Sequence, residues 1–234
     1  DSWYIRMSDP KIKKQLISEN KKINWEPEYI KEGRFGEWLR EIKDWAISRE
    51  RYWGTPLPVW ICSDCNKIEV IGSIAELKEK SKNGLPLDEK KEIDLHKPYI
   101  DEVKLICTHR AGSGQACGGN LVRTKEVMDV WFDSGAMPFA QDHYPFTNKK
   151  WVEGKGYPAD YICEAIDQTR GWFYTLHAIG ILMGRGKAYK NVICLGHLMD
   201  ANGKKMSKSL GNIIDPFAMM EKYGVDTLRL WMYS

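Results

Sequence analysis

Apolar residues recur along this chain with two periods, and each change of period marks a change of element. Ser8-Asp9-Pro10 opens a first helix, with Pro10 in the first turn, where a missing N–H is tolerated. Ile12, Leu16 and Ile23 keep helical spacing, and Phe35, Trp38, Leu39, Ile42 and Trp45 then recur at three- and four-residue steps. That spacing predicts an amphipathic helix with a broad apolar face. The pattern shortens around Cys62-Ser63-Asp64-Cys65, where 59–61 and 67–71 read as the arms of a hairpin. Ser73 with Glu76 forms a capping box, so a helix is expected over 73–81, ending near Gly84. Residues 85–98 are polar and irregular, 103–106 is a short strand leading into Cys107, and a loop over 108–116 is closed by Cys117-Gly118-Gly119. Asp129-Val130-Trp131-Phe132-Asp133-Ser134-Gly135 reads as an acidic, aromatic strand end with a glycine turn, followed over 136–155 by a helix and a variable loop.

The last third is the most regular. Residues 161–165 form a short apolar strand interrupted by Glu164, and 168–185 keeps helical spacing through Trp172, Leu176, Ile179 and Leu182. Residues 191–195 form a second strand. Strand, helix, strand at this length is a right-handed crossover, so the two strands are parallel and end on one edge of the sheet. Beyond it Asp215-Pro216 caps a helix through Glu221, stopped near Gly224, and Asp226 starts another with Leu228, Leu230 and Trp231.

Parallel α/β sheets bind ligands at the edge where their strands end. Asp167-Gln168 follows the first strand, and Lys204-Lys205-Met206-Ser207-Lys208-Ser209, between Gly203 and Gly211, follows the second. A basic loop bounded by glycines suits an anionic ligand, because the backbone can bend close to it. Lys205 and Lys208 could straddle a polyphosphate and neutralise charge building on a leaving pyrophosphate. The alternative is a solvated basic turn. Glu164, Asp167 and Gln168 stand at i, i+3 and i+4, where acidic groups suit a ribose hydroxyl or an α-amino group. Asp167 could equally serve as a helix N-cap.

Four cysteines in two pairs, Cys62 with Cys65 and Cys107 with Cys117, fit tetrahedral zinc held by thiolates, and a closed site of that kind is structural. The second pair encloses nine residues rather than two, His109 is a rival ligand, and free buried cysteines are the alternative. Cys163 and Cys194 are expected to be free thiols.

At 234 residues with 43% hydrophobic content, the chain can bury a core as one large domain or two small ones. A net charge of +3 is too small to argue for nucleic acid by charge alone. Residues 1–14 are charged throughout, with no signal pattern, and no apolar run reaches membrane-spanning length. Six cysteines without a secretory signal favour metal or free thiols over disulfides, and a cytoplasmic protein is the expectation. The missing initiator Met points to a fragment.

Lys-Met-Ser-Lys-Ser with Leu-Gly-Asn after it, at 205–212, resembles the mobile ATP loop of class I aminoacyl-tRNA synthetases. The string from Asp44 to Gly54, with Pro56 and Pro58, looks like the segment that isoleucyl-, valyl- and leucyl-tRNA synthetases share after their editing insertion, near the active site and the tRNA acceptor end. An arginine/aromatic cluster there would suit phosphate and base contacts. Asp129 to Gly135 is similar to the isoleucyl family, and Glu-Ala-Ile-Asp-Gln-Thr-Arg-Gly-Trp-Phe at 164–173 is the most discriminating string.

The resemblance implies an α/β fold: the second half of a Rossmann-like nucleotide-binding domain, with a small zinc-binding β subdomain. Its expected parts are a connecting segment over 1–54, a zinc-binding insertion over 55–127, and over 128–234 the catalytic half with the lysine loop. It implies that Lys205, Met206, Ser207, Lys208 and Ser209 meet ATP, with Lys205 and Lys208 catalytic. Trp131 and Trp172 then line the amino-acid pocket, and Asp133, Glu164, Asp167 and Gln168 contact the adenylate or amino acid. The implied reaction joins isoleucine to AMP, using ATP with magnesium, and then to its tRNA(Ile). The family's His-x-Gly-His string is absent from these residues, as are editing and anticodon-binding domains. The 234-residue chain is therefore expected to lack full activity. Leu195 stands where many relatives place a polar residue. The alternatives are a non-catalytic, zinc-containing tRNA- or protein-binding module, and a valyl or leucyl specificity.

Overall fold

The structure, a computed structural model, describes residues 2–110 and 116–232. The strands are β1 (Tyr4–Ile5), β2 (Asn24–Glu26), β3 (Trp45–Ala46), β4 (Ser48–Arg49), β5 (Val59–Cys62), β6 (Ile68–Val70), β7 (Leu105–Ile106), β8 (Asn120–Arg123), β9 (Val127–Met128), β10 (Ala159–Ala165) and β11 (Tyr189–Leu195). The helices are α1 (Pro10–Asn20), α2 (Gly36–Arg40), α3 (Ile74–Lys80), α4 (Val130–Ala140), α5 (Lys149–Trp151), α6 (Trp172–Leu182), α7 (Pro216–Tyr223) and α8 (Val225–Met232).

The expected crossover is present: β10 and β11 are parallel and joined through α6, with Ala165 opposite Leu195 at their ends. A third parallel strand, β2, pairs on the other side of β11 and gives the order β10-β11-β2. Periodicity did not flag β2, because it holds one buried side chain, Trp25, between two exposed residues. Helix α6 is buried at every residue from Phe173 to Ile181, the condition of a helix apolar all round. Trp25 packs edge-on against Phe173 and Tyr189, the Tyr189 hydroxyl donates to Phe173 O at 2.8 Å, and His177 Nε2 lies 3.0 Å from Leu16 O on α1. These contacts fix α6 between the sheet and α1.

A second hydrophobic cluster lies in an antiparallel sheet of order β6-β5-β8-β7, with Trp60, Ile100, Val103, Leu105 and Leu121 at its centre. The hairpin and the helix after Ser73 match the sequence pattern. In the cap, Ser73 Oγ accepts from Glu76 N at 3.1 Å, and Glu76 Oε2 accepts from Gly72 N at 2.8 Å. Arg123 ties this sheet to its exit, donating to Leu57 O at 3.1 Å and Glu126 O at 3.0 Å.

Two expectations fail. The helix anticipated through Trp45 stops at Arg40, where Glu41 leaves helical geometry at φ −105° and ψ 17°. Ile42 is still buried, and Trp45, now on β3, still packs on Phe132 and Tyr174. An extended segment serves the same apolar spacing. The strand end expected at 129–135 is instead the start of α4, with the strand confined to Val127–Met128. Gly135 is a packing residue there rather than a turn: a Cβ at that position would lie 2.8 Å from Thr175 O on α6. The loop expected at 108–116 has its middle, 111–115, outside the described residues.

Candidate active site at the sheet edge and cysteine cluster

At the end of β10 the chain enters a tight turn over Ile166–Arg170 before α6. Gln168, rather than Asp167, caps α6: its Oε1 accepts the Trp172 N–H at 2.7 Å. Asp167 stays exposed, accepting from Gln168 Nε2 at 3.2 Å, and Glu164 is exposed just before it. Thr169 and Arg170 hold the turn down. Thr169 Oγ1 accepts from Arg34 Nε at 2.8 Å, Arg170 donates to Arg34 O at 2.6 Å, and its guanidinium lies 4.7 Å over the Trp38 ring. Arg34 was invisible to sequence reasoning because it lies 135 residues from Thr169.

Trp131, on the first turn of α4, comes against the same turn. A Cβ on Gly171 would lie 3.0 Å from its indole and 2.6 Å from Gln168 Oε1, so glycine here permits this close approach. Trp172 Nε1 donates to Ser134 O at 3.1 Å. Trp131, Gln168 and Trp172 are thus brought together, with Trp131 43% exposed and Trp172 half-buried. Asp133, two residues on, faces elsewhere, since positions i and i+2 point away from each other on a helix. It lines a cavity of about 740 Å³ with Arg49, Arg51, Trp53, His96 and Asp129. Burial raises the Asp133 carboxyl above its ordinary value, opposed by the Thr55 hydroxyl and reinforced by the charge of Asp129.

The lysine loop leaves β11 at the same edge. Asp200 builds it: its carboxylate accepts from Asn202 N and Lys204 N at 2.9 Å each and from Asn212 Nδ2 at 2.8 Å. These bonds, the one from Asn212 foremost, lower the Asp200 pKa. Asn212 Oδ1 accepts from Ser207 N at 2.8 Å, and the Ser207 and Ser209 hydroxyls are 2.8 Å apart. Met206 and Ser207 are half-buried, while Lys205, Lys208 and Ser209 are exposed. Among the described residues neither Lys205 nor Lys208 is ion-paired. Asp200 and Asn212 were missed in the sequence, although an Asp three residues before a glycine is a legible turn signal.

The four expected cysteine ligands converge. The sulfurs of Cys62, Cys65, Cys107 and Cys117 lie within 4.8 Å of one another, with Cys62 and Cys117 at 3.8 Å and Cys65 and Cys107 at 3.6 Å. Zn–S bonds of about 2.3 Å place the sulfurs of a tetrahedron about 3.8 Å apart, so this cluster fits zinc. His109 is not in the group, although its carbonyl accepts from Cys117 N at 2.8 Å. The nine-residue spacing is explained by a bridge between Arg110 and Ala116, which returns the chain to Cys117. Backbone N–H groups of Cys65 and then Asp64 draw the Cys62 thiol down to about 7, whereas burial pushes Cys107 up to about 12. Cys163 and Cys194 are free and stand outside the cluster.

The family described as tRNA synthetases class I (I, L, M and V) matches residues 1–234. The chain is 52% identical over 235 residues to an isoleucine–tRNA ligase of Dehalococcoides mccartyi (strain ATCC BAA-2266 / KCTC 15142 / 195), covering 100% of this chain and 22% of the relative. It is 53% identical over 234 residues to that of Clostridium novyi (strain NT), covering 100% and 21%, and 49% identical over 233 residues to that of Thermus thermophilus, covering 100% and 21%. Among solved structures, Mycobacterium tuberculosis methionyl-tRNA synthetase in complex with methionyl-adenylate is similar at TM-score 0.54 and 19% identity, covering 99% of this chain and 33% of that one. The Agrobacterium radiobacter K84 ternary complex of LeuRS, tRNA and LeuAMS is similar at TM-score 0.50 and 22% identity, covering 87% and 27%. At these identities the structural likeness concerns the fold alone. The chain spans about a fifth of the length of the curated relatives it matches. No helix among the described residues is long and apolar enough to cross a membrane.

Proposed function

The chain belongs to the class I tRNA synthetases of the I, L, M and V group, and from that membership we propose that it is the lysine-loop part of an isoleucine–tRNA ligase. The longer enzyme would activate isoleucine with ATP and pass it to tRNA(Ile). The observation that carries this reading is topological. Parallel strands β10 and β11 end level with one another, so the turn over Ile166–Arg170 and the lysine loop start from one sheet edge.

In this reading the exposed ammonium groups of Lys205 and Lys208 meet the phosphates, and Met206, Ser207 and Ser209 shape the loop around ATP, which arrives with magnesium. Glu164 and Asp167 offer carboxylates to the α-amino group or ribose of the adenylate. Gln168 spends its carbonyl on the Trp172 N–H and keeps its amide nitrogen beside Asp167. Trp131 and Trp172 give the amino-acid side chain two apolar walls, and Asp133 stands behind them in the neighbouring cavity. No protein nucleophile is required, because the amino-acid carboxylate attacks the α-phosphate itself. Positioning and charge stabilisation carry the rate.

The three-part division at 54–55 and 127–128, the Rossmann-like second half and a structural zinc held by Cys62, Cys65, Cys107 and Cys117 belong to the same proposal. The cysteine geometry and a second cluster confined to residues 60–121 support the β subdomain, while the first cluster joins residues of 1–54 and 128–234 in one core. Zinc there would fix the β subdomain and take no part in the reaction.

The 234 residues contain no His-x-Gly-His string, which in the family faces the phosphates from across the crevice. A misplacement of about 1 Å costs on the order of a hundredfold in rate. The reaction is therefore proposed for the longer protein. The test is isoleucine-dependent pyrophosphate exchange on the 234-residue chain and on the intact enzyme, with Lys205→Ala controls. Exchange by the intact enzyme alone, lost in its control, is expected. Equal exchange by the short chain would contradict the need for the missing string, and valine- or leucine-driven exchange would move the specificity.

A further inference from the structure

Asp129 stands where β9 becomes α4, and its carboxylate has two partners. Oδ1 accepts the Trp131 N–H at 2.7 Å, capping the first turn of α4, and Oδ2 pairs with the Arg49 guanidinium on β4. The Asp129 side chain is 4% exposed, so this charge is buried and answered from one direction. The backbone reinforces the join: Asp129 N–H donates to Ile47 O at 2.7 Å. Arg49 is itself held, donating to Ala46 O at 3.1 Å and Ser48 O at 2.8 Å.

A cap by itself needs only an oxygen, and Asn serves as well as Asp. A buried carboxylate carries a desolvation cost that a neutral cap avoids, and the pair with Arg49 offsets it. What the charge adds is therefore a tie between the cap and β4. Downstream of that tie lies the turn whose Trp131 abuts Gly171 and whose Ser134 O accepts from Trp172 Nε1. A shift of the first turn of α4 would move one indole directly and the anchor of the other.

We propose that Asp129 is a positioning residue for amino-acid recognition, clamped by Arg49 so that the first turn of α4 holds Trp131 and Trp172 at a fixed separation. This rests on the reading of the two indoles as the amino-acid pocket. It adds that the width of that pocket is set from the connection carrying β4 rather than by its own walls.

The test uses the intact enzyme in pyrophosphate exchange, with KM and kcat taken for isoleucine, valine and ATP. Asp129→Asn keeps a cap and removes the charge, Arg49→Met removes the partner, and Arg49→Lys keeps the charge. Asp129→Asn and Arg49→Met are each expected to raise the KM for isoleucine about tenfold and to lower the isoleucine-over-valine ratio. KM for ATP should stay within about twofold, and Arg49→Lys should recover most of the loss. The double variant should be no worse than the worse single one, since both remove one interaction. Thermal unfolding shows which variants fold; if Arg49→Met does not, Asp129→Asn carries the test. An unchanged isoleucine KM and ratio in the folded variants would overturn the proposal, as would a parallel rise in KM for ATP. An unaltered enzyme with no isoleucine-dependent exchange would instead remove the pocket reading beneath it.

Discussion

Replacing Cys107 by Ser takes one sulfur from a cluster spanning 4.8 Å, at a residue only 1% exposed. Besides the cysteines, the buried core of that sheet has seven apolar side chains: Trp60, Ile71, Leu77, Ile100, Val103, Leu105 and Leu121. At about 1.5–3 kcal/mol for each fully buried side chain, these give roughly 10–20 kcal/mol before the entropy of ordering is subtracted. A structural zinc site contributes about 10–16 kcal/mol on its own. Zinc held by these four cysteines would thus contribute as much as the whole apolar term, and losing a ligand should then unfold strands β5 to β8. The sheet of β10, β11 and β2 has a separate cluster around Trp25, Phe173 and Tyr189 and should survive. Hydrogen exchange reads this directly: protection is expected to collapse over Val59–Cys62 and Asn120–Arg123 and to persist over Tyr189–Leu195. Metal analysis of the unaltered, reduced protein should return one zinc per chain. No zinc, a disulfide between these cysteines, or intact protection in Cys107→Ser would refute the reasoning.

Further outcomes follow from the same geometry. In the intact enzyme Lys208→Ala should lower kcat for adenylate formation strongly with a modest change in the ATP KM, because an exposed lysine on a glycine-bounded loop can close on the phosphates as charge develops. A weakened ATP KM at unchanged kcat would contradict this. Gly171→Ala puts a methyl group 2.6 Å from Gln168 Oε1 and 3.0 Å from Trp131. Overpacking of that kind costs about 1–3 kcal/mol of folding stability, read by urea unfolding, and isoleucine titration of exchange should show a raised KM for isoleucine. His177 is fully buried and its pKa is drawn down to about 4 by desolvation, partly opposed by its bond to Leu16 O. The unfolded chain then takes up this proton first, so His177 contributes full stability above about pH 6.5 and loses it as pH falls toward 4. The loss is on the order of 3 kcal/mol, and urea unfolding from pH 7 to pH 5 should show a steeper decline than in His177→Gln.

Sequence by itself determined the crossover and which charged residues leave it at one edge. The apolar runs at the ends of β10 and β11, separated by a helix of apolar spacing, leave one topology for a right-handed chain. Local capping was equally legible at Ser73 and Asp215, since a cap involves residues within three positions of one another. Cys62 and Cys65 were readable for the same reason.

What the sequence left open is what depends on contacts between distant residues. Trp45 has the spacing of a helix yet lies on a strand, because burial against Phe132 and Tyr174 satisfies it in either backbone form. Val130 and the residues after it form a helix that Asp129 caps and ties to Arg49 across a strand pair, and Gly135 lets that helix meet α6. The cap of α6 went to Gln168 rather than Asp167 because the turn is pinned by Arg34, far away in the chain. Hydrophobic period and local hydrogen bonding are properties of short segments and are written in them. That Trp131 lies against Gly171 while Asp133 lines the cavity with Arg49 depends on which face of α4 meets α6, and only packing in three dimensions decides that.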